Sequence, residues 1–277
     1  AFAAALVVVA GCGGGDDEEP RIPQSGERET TTTTESTSTT AAGAAADGEA
    51  LQIVVTNDDG FAADGIDTLV SALTAVDGVE VTVVAPATDT TGQGGNTTDG
   101  PLTATEGTTK GGYAATAVQG FPADTVRYAV EDLALEPDLV ISGINNGQNL
   151  GPVVDVSGTV GAARAAVRAG IPALAVSQGQ GDPPDYAAAA ELVVAWLEQN
   201  REALVAGELP ADVVINLNVP SCTGGELRGT IDVTSATTGD PLAPSNCAST
   251  GEGYTDDVTA FANGYATLAE VAIEPAA

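Results

Sequence analysis

The sequence predicts an α/β protein built on a doubly wound, mostly parallel β-sheet. Apolar runs of strand length recur from residue 51 onward, and several are continuous rather than alternating, as in strands covered on both faces. Between the runs lie stretches with apolar residues at helical spacing. Strands that alternate with helices form right-handed crossovers, which place helices on both faces of one sheet.

The apolar patterns set the expected order of elements in a domain over 51–277. The predicted strands are LQIVVT (51–56), VEVTVVAP (79–86), YAATAV (113–118), PDLVISG (137–143), IPALAVS (171–177) and ADVVINLNV (211–219). The predicted helices cover 66–76, 123–134, 157–169 and 184–200, the last with Trp196 on its apolar side. After about residue 220 the pattern changes to Gly, Thr, Ser and Pro, which predicts a β-rich C-terminal extension of loops or hairpins over 220–277.

The first stretch, 1–15, resembles the signal of a bacterial lipoprotein. A short apolar run ends in Val9-Ala10-Gly11-Cys12, which is too short for a membrane span and places small residues before a lone cysteine. Cys12 is the predicted lipidation site, and the missing basic start indicates that the sequence begins inside the signal. A glycine-rich nucleotide loop is the competing interpretation, but it lacks its third glycine and the following helix.

Residues 16–50 are rich in Thr, Ser and Glu and contain almost no large apolar side chains, which predicts a disordered tether. Signal, tether and domain together predict an exported lipoprotein at the outer face of the cytoplasmic membrane or the cell surface, touching the membrane only through its lipid. Cys222 and Cys247 lie in one loop-rich stretch, so in an exported protein they suit a disulfide, although two buried free thiols are the alternative.

The composition restricts the partners of the protein. The chain has 277 residues, 43% of them hydrophobic, and a formal net charge of −31 from 8 basic and 39 acidic residues without histidine. Such a charge repels DNA and RNA polymers at long range, so we expect no binding of either. A soluble or salt-adapted surface explains most of this charge, with an acidic interaction patch as the alternative.

Polar motifs follow the predicted strands at their carboxyl ends, where ligands bind in an open α/β sheet. They are NDDG (57–60), APATDTTGQGGN (85–96), SGINNGQNLG (142–151) and DVSGTVGAARAA (155–166). Each motif alone also contains the residues that turns and helix caps require. Their convergence on one edge of the sheet favours a functional site.

These side chains suggest a cation beside a phosphate. Two carboxylates, a hydroxyl and an amide oxygen are hard ligands suited to Mg²⁺, Mn²⁺ or Ca²⁺, and the lack of histidine disfavours zinc. A Ser157-Gly158-Thr159 sequence at a helix start offers backbone N–H groups, hydroxyls and the positive end of the helix dipole to a phosphate. This combination predicts metal-assisted phosphoryl hydrolysis.

Seven blocks then resemble, in order, the signature of the SurE family, the survival protein E 5′/3′-nucleotidases. They are VTNDDGFAADGIDTL, VVAPATDTTG, DLVISGINNGQNLG, SGTVGAA, GIPALAVS, INLNVP and TDDVTAFANGYATL, between about residues 51 and 273. The resemblance implies a Rossmann-like fold, a phosphatase of nucleoside monophosphates that depends on a divalent metal, Mg²⁺ or Mn²⁺, and a C-terminal extension that forms a homodimer or higher homo-oligomer.

The resemblance also assigns roles to residues of this chain. Asp58 and Asp59 correspond to the catalytic metal carboxylates, Asn145 to the amide ligand, and Thr91 to a hydroxyl ligand that is serine in the family. Asn149 and Ser157-Gly158-Thr159 correspond to the phosphate-binding positions, and Asn57 orients the acidic turn. The basic residues that the family carries just before the hydroxyl ligand are absent, because 87–90 reads Ala-Thr-Asp-Thr.

Two other functions suit parts of the sequence. A non-catalytic surface lipoprotein that binds nucleotides or metal is favoured by the lost basic residues and by threonine in place of serine. A nicotinamide oxidoreductase is disfavoured, because no G-x-G-x-x-G follows a core strand and the first strand ends in acids where a pyrophosphate needs glycines.

Overall fold

Within residues 50–275, which the computed structural model describes, nine strands form one sheet. Residues 1–49, with the predicted signal, Cys12 and nearly all of the predicted tether, lie outside the described residues, as do 276 and 277. In the described part of the chain, no helix combines the length and the apolar character that crossing a membrane would require.

The six predicted strands and four predicted helices all form, and three further strands and one further α-helix accompany them. The strands are β1 (Leu51–Thr56), β2 (Val79–Pro86), β3 (Ala104–Thr108), β4 (Ala114–Val118), β5 (Leu139–Asn146), β6 (Ala173–Gln178), β7 (Val213–Val219), β8 (Thr230–Thr234) and β9 (Ala266–Ala272). The α-helices are α1 (Asp64–Leu73), α2 (Pro122–Arg127), α3 (Gly158–Arg168), α4 (Tyr186–Val205) and α5 (Asp257–Ala262). A π-helical turn, Tyr128–Asp132, continues α2, and a 3₁₀ turn, Gly151–Asp155, precedes α3.

The strand order is β3-β4-β2-β1-β5-β6-β7-β9-β8. The six strands from β4 to β7 are mutually parallel, whereas β3 pairs antiparallel with β4 and β9 pairs antiparallel with β7. The chain therefore winds outward from β1 in both directions. This arrangement confirms the predicted doubly wound, mostly parallel, Rossmann-like sheet.

Both faces of the sheet are covered, which explains the continuous apolar runs. In β1, Ile53 and Val55 pack into the cluster formed with α1 and α4, while Val54 packs into the opposite cluster formed with α3. Successive strand residues point to opposite faces, so a strand covered on both sides needs apolar residues at every position. Trp196 is 9% exposed and packs in the first cluster, so it is a core residue.

The C-terminal part differs from the expected loops or hairpins. β8, α5 and β9 form a crossover unit, because β8 and β9 are parallel neighbours rather than a hairpin. β9 pairs with β7 from Val213 to Asn218, so this region extends the main sheet. Cys222 and Cys247 are joined by a disulfide that ties the segment after β7 to the segment before α5.

Candidate metal and phosphate site

The acidic turn after β1 places two carboxylates at the carboxyl edge of the sheet. The buried side chain of Asn57 closes the turn, since its amide donates to the Gly60 carbonyl at 2.9 Å and its oxygen accepts from the Gly60 N–H at 3.2 Å. Gly60 has φ +98°, a left-handed conformation that favours glycine. The turn therefore holds Asp58 and Asp59 in fixed positions.

The surroundings of Asp58 and Asp59 destabilise the ionised form of both carboxyl groups. Burial raises the pKa of Asp58, although a hydrogen bond from Thr159 opposes the rise, and Asp89 adds to it. Burial, followed by the negative charge of Asp58, raises the pKa of Asp59 to about 6. None of the ion pairs found among residues 50–275 includes either carboxylate. Two adjacent acids without a basic partner are therefore suited to a cation.

The start of α3 lies against Asp58. Ser157 caps the helix by accepting a hydrogen bond from the N–H of Val160 at 3.1 Å, and the hydroxyl of Thr159 donates to Asp58 Oδ1 at 2.8 Å. A Cβ atom added to Gly158 would lie 2.7 Å from the Cβ of Asp58, so only glycine permits this approach. The first turn of α3 and the positive end of its helix dipole are thus placed beside the acids.

Asn145 reaches the same place through an irregularity in β5. The pairing of β5 with β6 shifts register between Ser142 and Asn145, and Gly143 adopts φ +145° where a side chain would overlap the carbonyl oxygen of Val176. The neighbouring Asn146 N–H donates to Asp59 Oδ2 at 3.3 Å.

The side chain of Asn145 has one unused oxygen. It is 7% exposed, and its amide nitrogen donates to the Gly147 carbonyl at 2.6 Å. Its Oδ1 is buried without a hydrogen-bond partner. A buried acceptor in this state costs free energy, and a bound cation would satisfy it.

Asn149 connects the start of α3 to the rest of the sheet. Its side-chain amide donates to Ser177 Oγ at 2.9 Å and to Thr159 Oγ1 at 3.4 Å. Asn218 binds the Asn149 backbone twice, accepting from its N–H at 2.7 Å and donating to its carbonyl at 3.1 Å. Asn216 donates to the same carbonyl at 2.8 Å. Neither β7 asparagine was predicted as a site residue, although two polar residues inside the otherwise apolar strand VVINLNV could have indicated them.

Thr91 lies on the loop after β2, which is attached to the acidic turn. The N–H and the hydroxyl of Thr90 both donate to the Asp58 carbonyl, at 2.8 and 3.1 Å. The Thr91 hydroxyl itself donates to Asp89 Oδ1 at 2.6 Å, and Thr91 is exposed. The structure therefore brings Asp58, Asp59, Asn145, Asn149 and the start of α3 together, and places Thr91 on an adjoining loop.

The residues present fit a hard divalent cation. The two carboxylates share one turn, and the unpaired Asn145 oxygen belongs to the residue before Asn146, whose N–H contacts Asp59. All are oxygen donors of the kind that Mg²⁺, Mn²⁺ and Ca²⁺ prefer. Within 50–275, no three His, Cys, Asp or Glu side chains are grouped to hold a metal, so any cation here depends on amide or hydroxyl oxygen as well. Fold and site together define a doubly wound α/β protein with a group of oxygen donors suited to a cation beside the start of a helix.

Comparison with known protein families assigns the chain to one of them. The family model described as Survival protein SurE matches residues 53–240, and the chain belongs to the SurE family. The chain is 40% identical over 181 residues to the 5′-nucleotidase SurE of Methylococcus capsulatus, covering 65% of this chain and 68% of the relative. It is 43% identical over 176 residues to the 5′-nucleotidase SurE of Synechococcus sp. strain CC9311, covering 62% of this chain and 64% of the relative.

A solved structure has the same fold. The crystal structure of the SurE protein from Aquifex aeolicus superimposes with a TM-score of 0.65 at 27% identity, covering 81% of this chain and 94% of that chain. The resemblance noted in the seven sequence blocks is thereby confirmed at the level of family and fold.

Proposed function

We infer that this protein is a divalent-metal-dependent phosphatase that hydrolyses nucleoside monophosphates. The observation that carries this proposal is the position of Asp58. Its carboxylate lies in the acidic turn and also accepts the hydroxyl of Thr159 at the start of α3, at 2.8 Å. A cation held by the acids would therefore lie within reach of a phosphate held by the helix start. The relatives named 5′-nucleotidase SurE support the same activity.

The residues of the site divide into a cation-binding group and a phosphate-binding group. Asp58, Asp59 and Asn145 Oδ1 would hold the cation, with the hydroxyl of Thr91 completing the set from the adjoining loop. When bound, such a cation polarises a phosphoryl group and lowers the pKa of a water molecule.

The phosphate-binding group would lie at the first turn of α3. Ser157 Oγ accepts from Val160, which leaves its own proton free to donate to a phosphoryl oxygen. The hydroxyl of Thr159 donates to Asp58, and the backbone N–H of Thr159 also forms a hydrogen bond with that carboxylate, so Thr159 links the acids to the helix start. Asn149 holds Thr159 in this orientation from the other side. Donors fixed in advance stabilise the charge that develops on a transferring phosphoryl group.

An assay of the full chain tests the proposal. We expect phosphate release from nucleoside 5′-monophosphates and 3′-monophosphates with Mg²⁺ or Mn²⁺, and loss of at least about 10²-fold in Asp58→Asn. Asp99→Asn, a change of the same chemistry at an exposed residue, serves as the control. Wild-type activity no higher than that of Asp58→Asn would refute the proposal. Nucleotide or Mn²⁺ binding without turnover would instead support the non-catalytic binding protein.

Export is a separate proposal. The predicted signal and tether support it, and the Cys222–Cys247 disulfide adds support because disulfides persist in oxidising compartments. We propose that lipid on Cys12 holds the protein at the outer face of the membrane. Mass spectrometry of the protein from its own membranes should find diacylglycerol on Cys12, and an unmodified Cys12 within an intact N-terminal segment would refute lipidation.

Self-association is proposed from the family resemblance alone. We propose that the chain forms a homodimer or higher homo-oligomer in solution. Light scattering on the purified full chain measures its mass directly, and a monomer mass at micromolar concentration would refute this proposal.

A further inference from the structure

The loop after β2 is fixed against the acidic turn by its backbone. Thr90 donates two hydrogen bonds to the Asp58 carbonyl, at 2.8 and 3.1 Å, and the N–H of Phe61 donates to the Pro86 carbonyl at 2.9 Å. Gly60 packs against this loop so closely that an added Cβ would lie 3.2 Å from the Thr88 carbonyl carbon. The loop and the turn therefore form one unit, and Asp89 is at its exposed rim.

Asp89 controls the direction of the Thr91 hydroxyl. Asp89 Oδ1 accepts from the Thr91 N–H at 2.9 Å and from the Thr91 hydroxyl at 2.6 Å. A hydroxyl has one proton and two lone pairs. Since the proton is donated to Asp89, the lone pairs of Thr91 Oγ1 remain available for a cation. A carboxylate that accepts from a ligand in this way also makes that ligand more basic.

Asp89 is not itself grouped with the other acids as a ligand. No three acidic side chains among residues 50–275 are arranged to hold one metal. Its charge nevertheless lies beside the acidic turn, because the neighbouring Thr90 is hydrogen-bonded to the Asp58 carbonyl. The segment 87–91 contains no lysine or arginine that could neutralise it.

We propose that Asp89 is a positioning residue of the cation site, which orients the Thr91 hydroxyl as an oxygen ligand for a divalent cation and adds a negative charge beside it. The proposal rests on the cation site of the proposed function. It assigns to this exposed loop a role in the affinity for the metal, apart from any role in chemistry.

Calorimetric titration of the metal-free full chain with Mn²⁺ measures this role without an activity assay. We expect Asp89→Ala to weaken Mn²⁺ binding by about 10–100-fold, the usual effect of losing the partner that orients a metal ligand. Asp89→Asn keeps an oxygen acceptor for Thr91 but loses the charge. We expect it to weaken binding by at most about 5-fold, with an effect that shrinks as salt is added.

A double-mutant cycle separates orientation from charge. Thr91→Val removes the hydroxyl at nearly constant volume. In that background, Asp89→Ala should weaken Mn²⁺ binding no more than Asp89→Asn does. An Asp89→Ala protein that binds Mn²⁺ within about 2-fold of wild type would overturn the proposal. A loss that is equally large with and without the Thr91 hydroxyl would also overturn it, because Asp89 would then not act through Thr91.

Asp58→Asn distinguishes this proposal from the site itself. If Asp58→Asn abolishes Mn²⁺ binding while Asp89→Ala leaves it unchanged, the cation site stands and the role of Asp89 is refuted. If neither variant changes Mn²⁺ binding, the cation does not bind at these residues, and the proposed function fails together with the role of Asp89.

Discussion

The charge of Asp59 should destabilise the metal-free protein, so that replacing it with neutral asparagine increases stability. Burial and the neighbouring Asp58 raise the pKa of Asp59 from 3.8 to about 6 in the folded state. The folded protein thus binds this proton more tightly than the unfolded chain does. The penalty for ionisation is small near pH 4, grows as the pH rises through 6, and is complete above about pH 7.

The size of the effect follows from the pKa. A rise of about 2 units corresponds to about 3 kcal/mol of unfolding free energy, at 1.36 kcal/mol per unit. Asp59 is partly exposed, and solvent screening reduces this to about 1–2 kcal/mol. For a domain of this size, Asp59→Asn should raise Tm by about 2–8 °C at pH 8 and by roughly half as much at pH 5.

Thermal unfolding of the full chain in a chelator at both pH values tests this expectation, with Asp99→Asn as the exposed control. Saturating Mn²⁺ should reverse the order, because binding stabilises the wild type and not a protein that lacks a ligand. An Asp59→Asn protein with a lower Tm than wild type at pH 8 would refute the reasoning. An equal rise at both pH values would refute it as well, since the gain would then not come from ionisation.

Two further predictions concern packing beside the site and the C-terminal crosslink. Gly158→Ala should push Asp58 away from the helix start and lower nucleotidase activity by about 10²-fold. Gly224→Ala is the control, because no atom lies within 4 Å of the new Cβ, and it should leave the activity unchanged. Equal activities of the two variants would contradict the predicted effect of the contact between Gly158 and Asp58. Reducing the Cys222–Cys247 disulfide, whose cysteines are 25 residues apart, should lower stability by about 3 kcal/mol and Tm by roughly 6–12 °C. A reductant should not change the Tm of the double serine variant, and an unchanged wild-type Tm would contradict a stabilising crosslink.

The central strands could be predicted from the sequence because burial on both faces leaves a local signal. β1 and β2 begin and end at the predicted residues, and β7 differs only at its start. The helices between them were predicted for the same reason, since one apolar stripe faces the sheet. Local periodicity was therefore sufficient to predict the strands and helices that form the core.

The edges of the sheet could not be predicted in this way. β3, with the sequence ATEGT, is largely exposed and has no apolar pattern of its own. It is a strand because β4 offers it a partner, as β9 does for β8 at the opposite edge. Pairing of this kind depends on residues far apart in the chain, so short polar strands at an edge look like loops in the sequence.

The site was predicted only where its residues form local motifs. The acidic turn, the helix start at Ser157 and the loop around Asn145 are each visible as short polar runs after strands. Asn216 and Asn218 were missed because they act on Asn149, 67 and 69 residues away. From the sequence, Asp89 was only one of the residues that stand where the family carries basic side chains. Its hydrogen bond to the Thr91 hydroxyl could not be predicted, because it depends on the conformation of the loop.

A net charge of −31 is compatible with binding of a phosphate monoester, because repulsion by the surface and attraction at the site act at different distances. Surface charges farther away than about 8–10 Å are largely screened at physiological salt. A polymer with many phosphates lies across that surface and is repelled along its length. A monophosphate contacts only the site, where the positive end of the α3 dipole lies and a cation would neutralise Asp58 and Asp59. We therefore expect the same acidic surface to repel nucleic acid and to admit a nucleotide, because a cation at the site would offset the local negative charge.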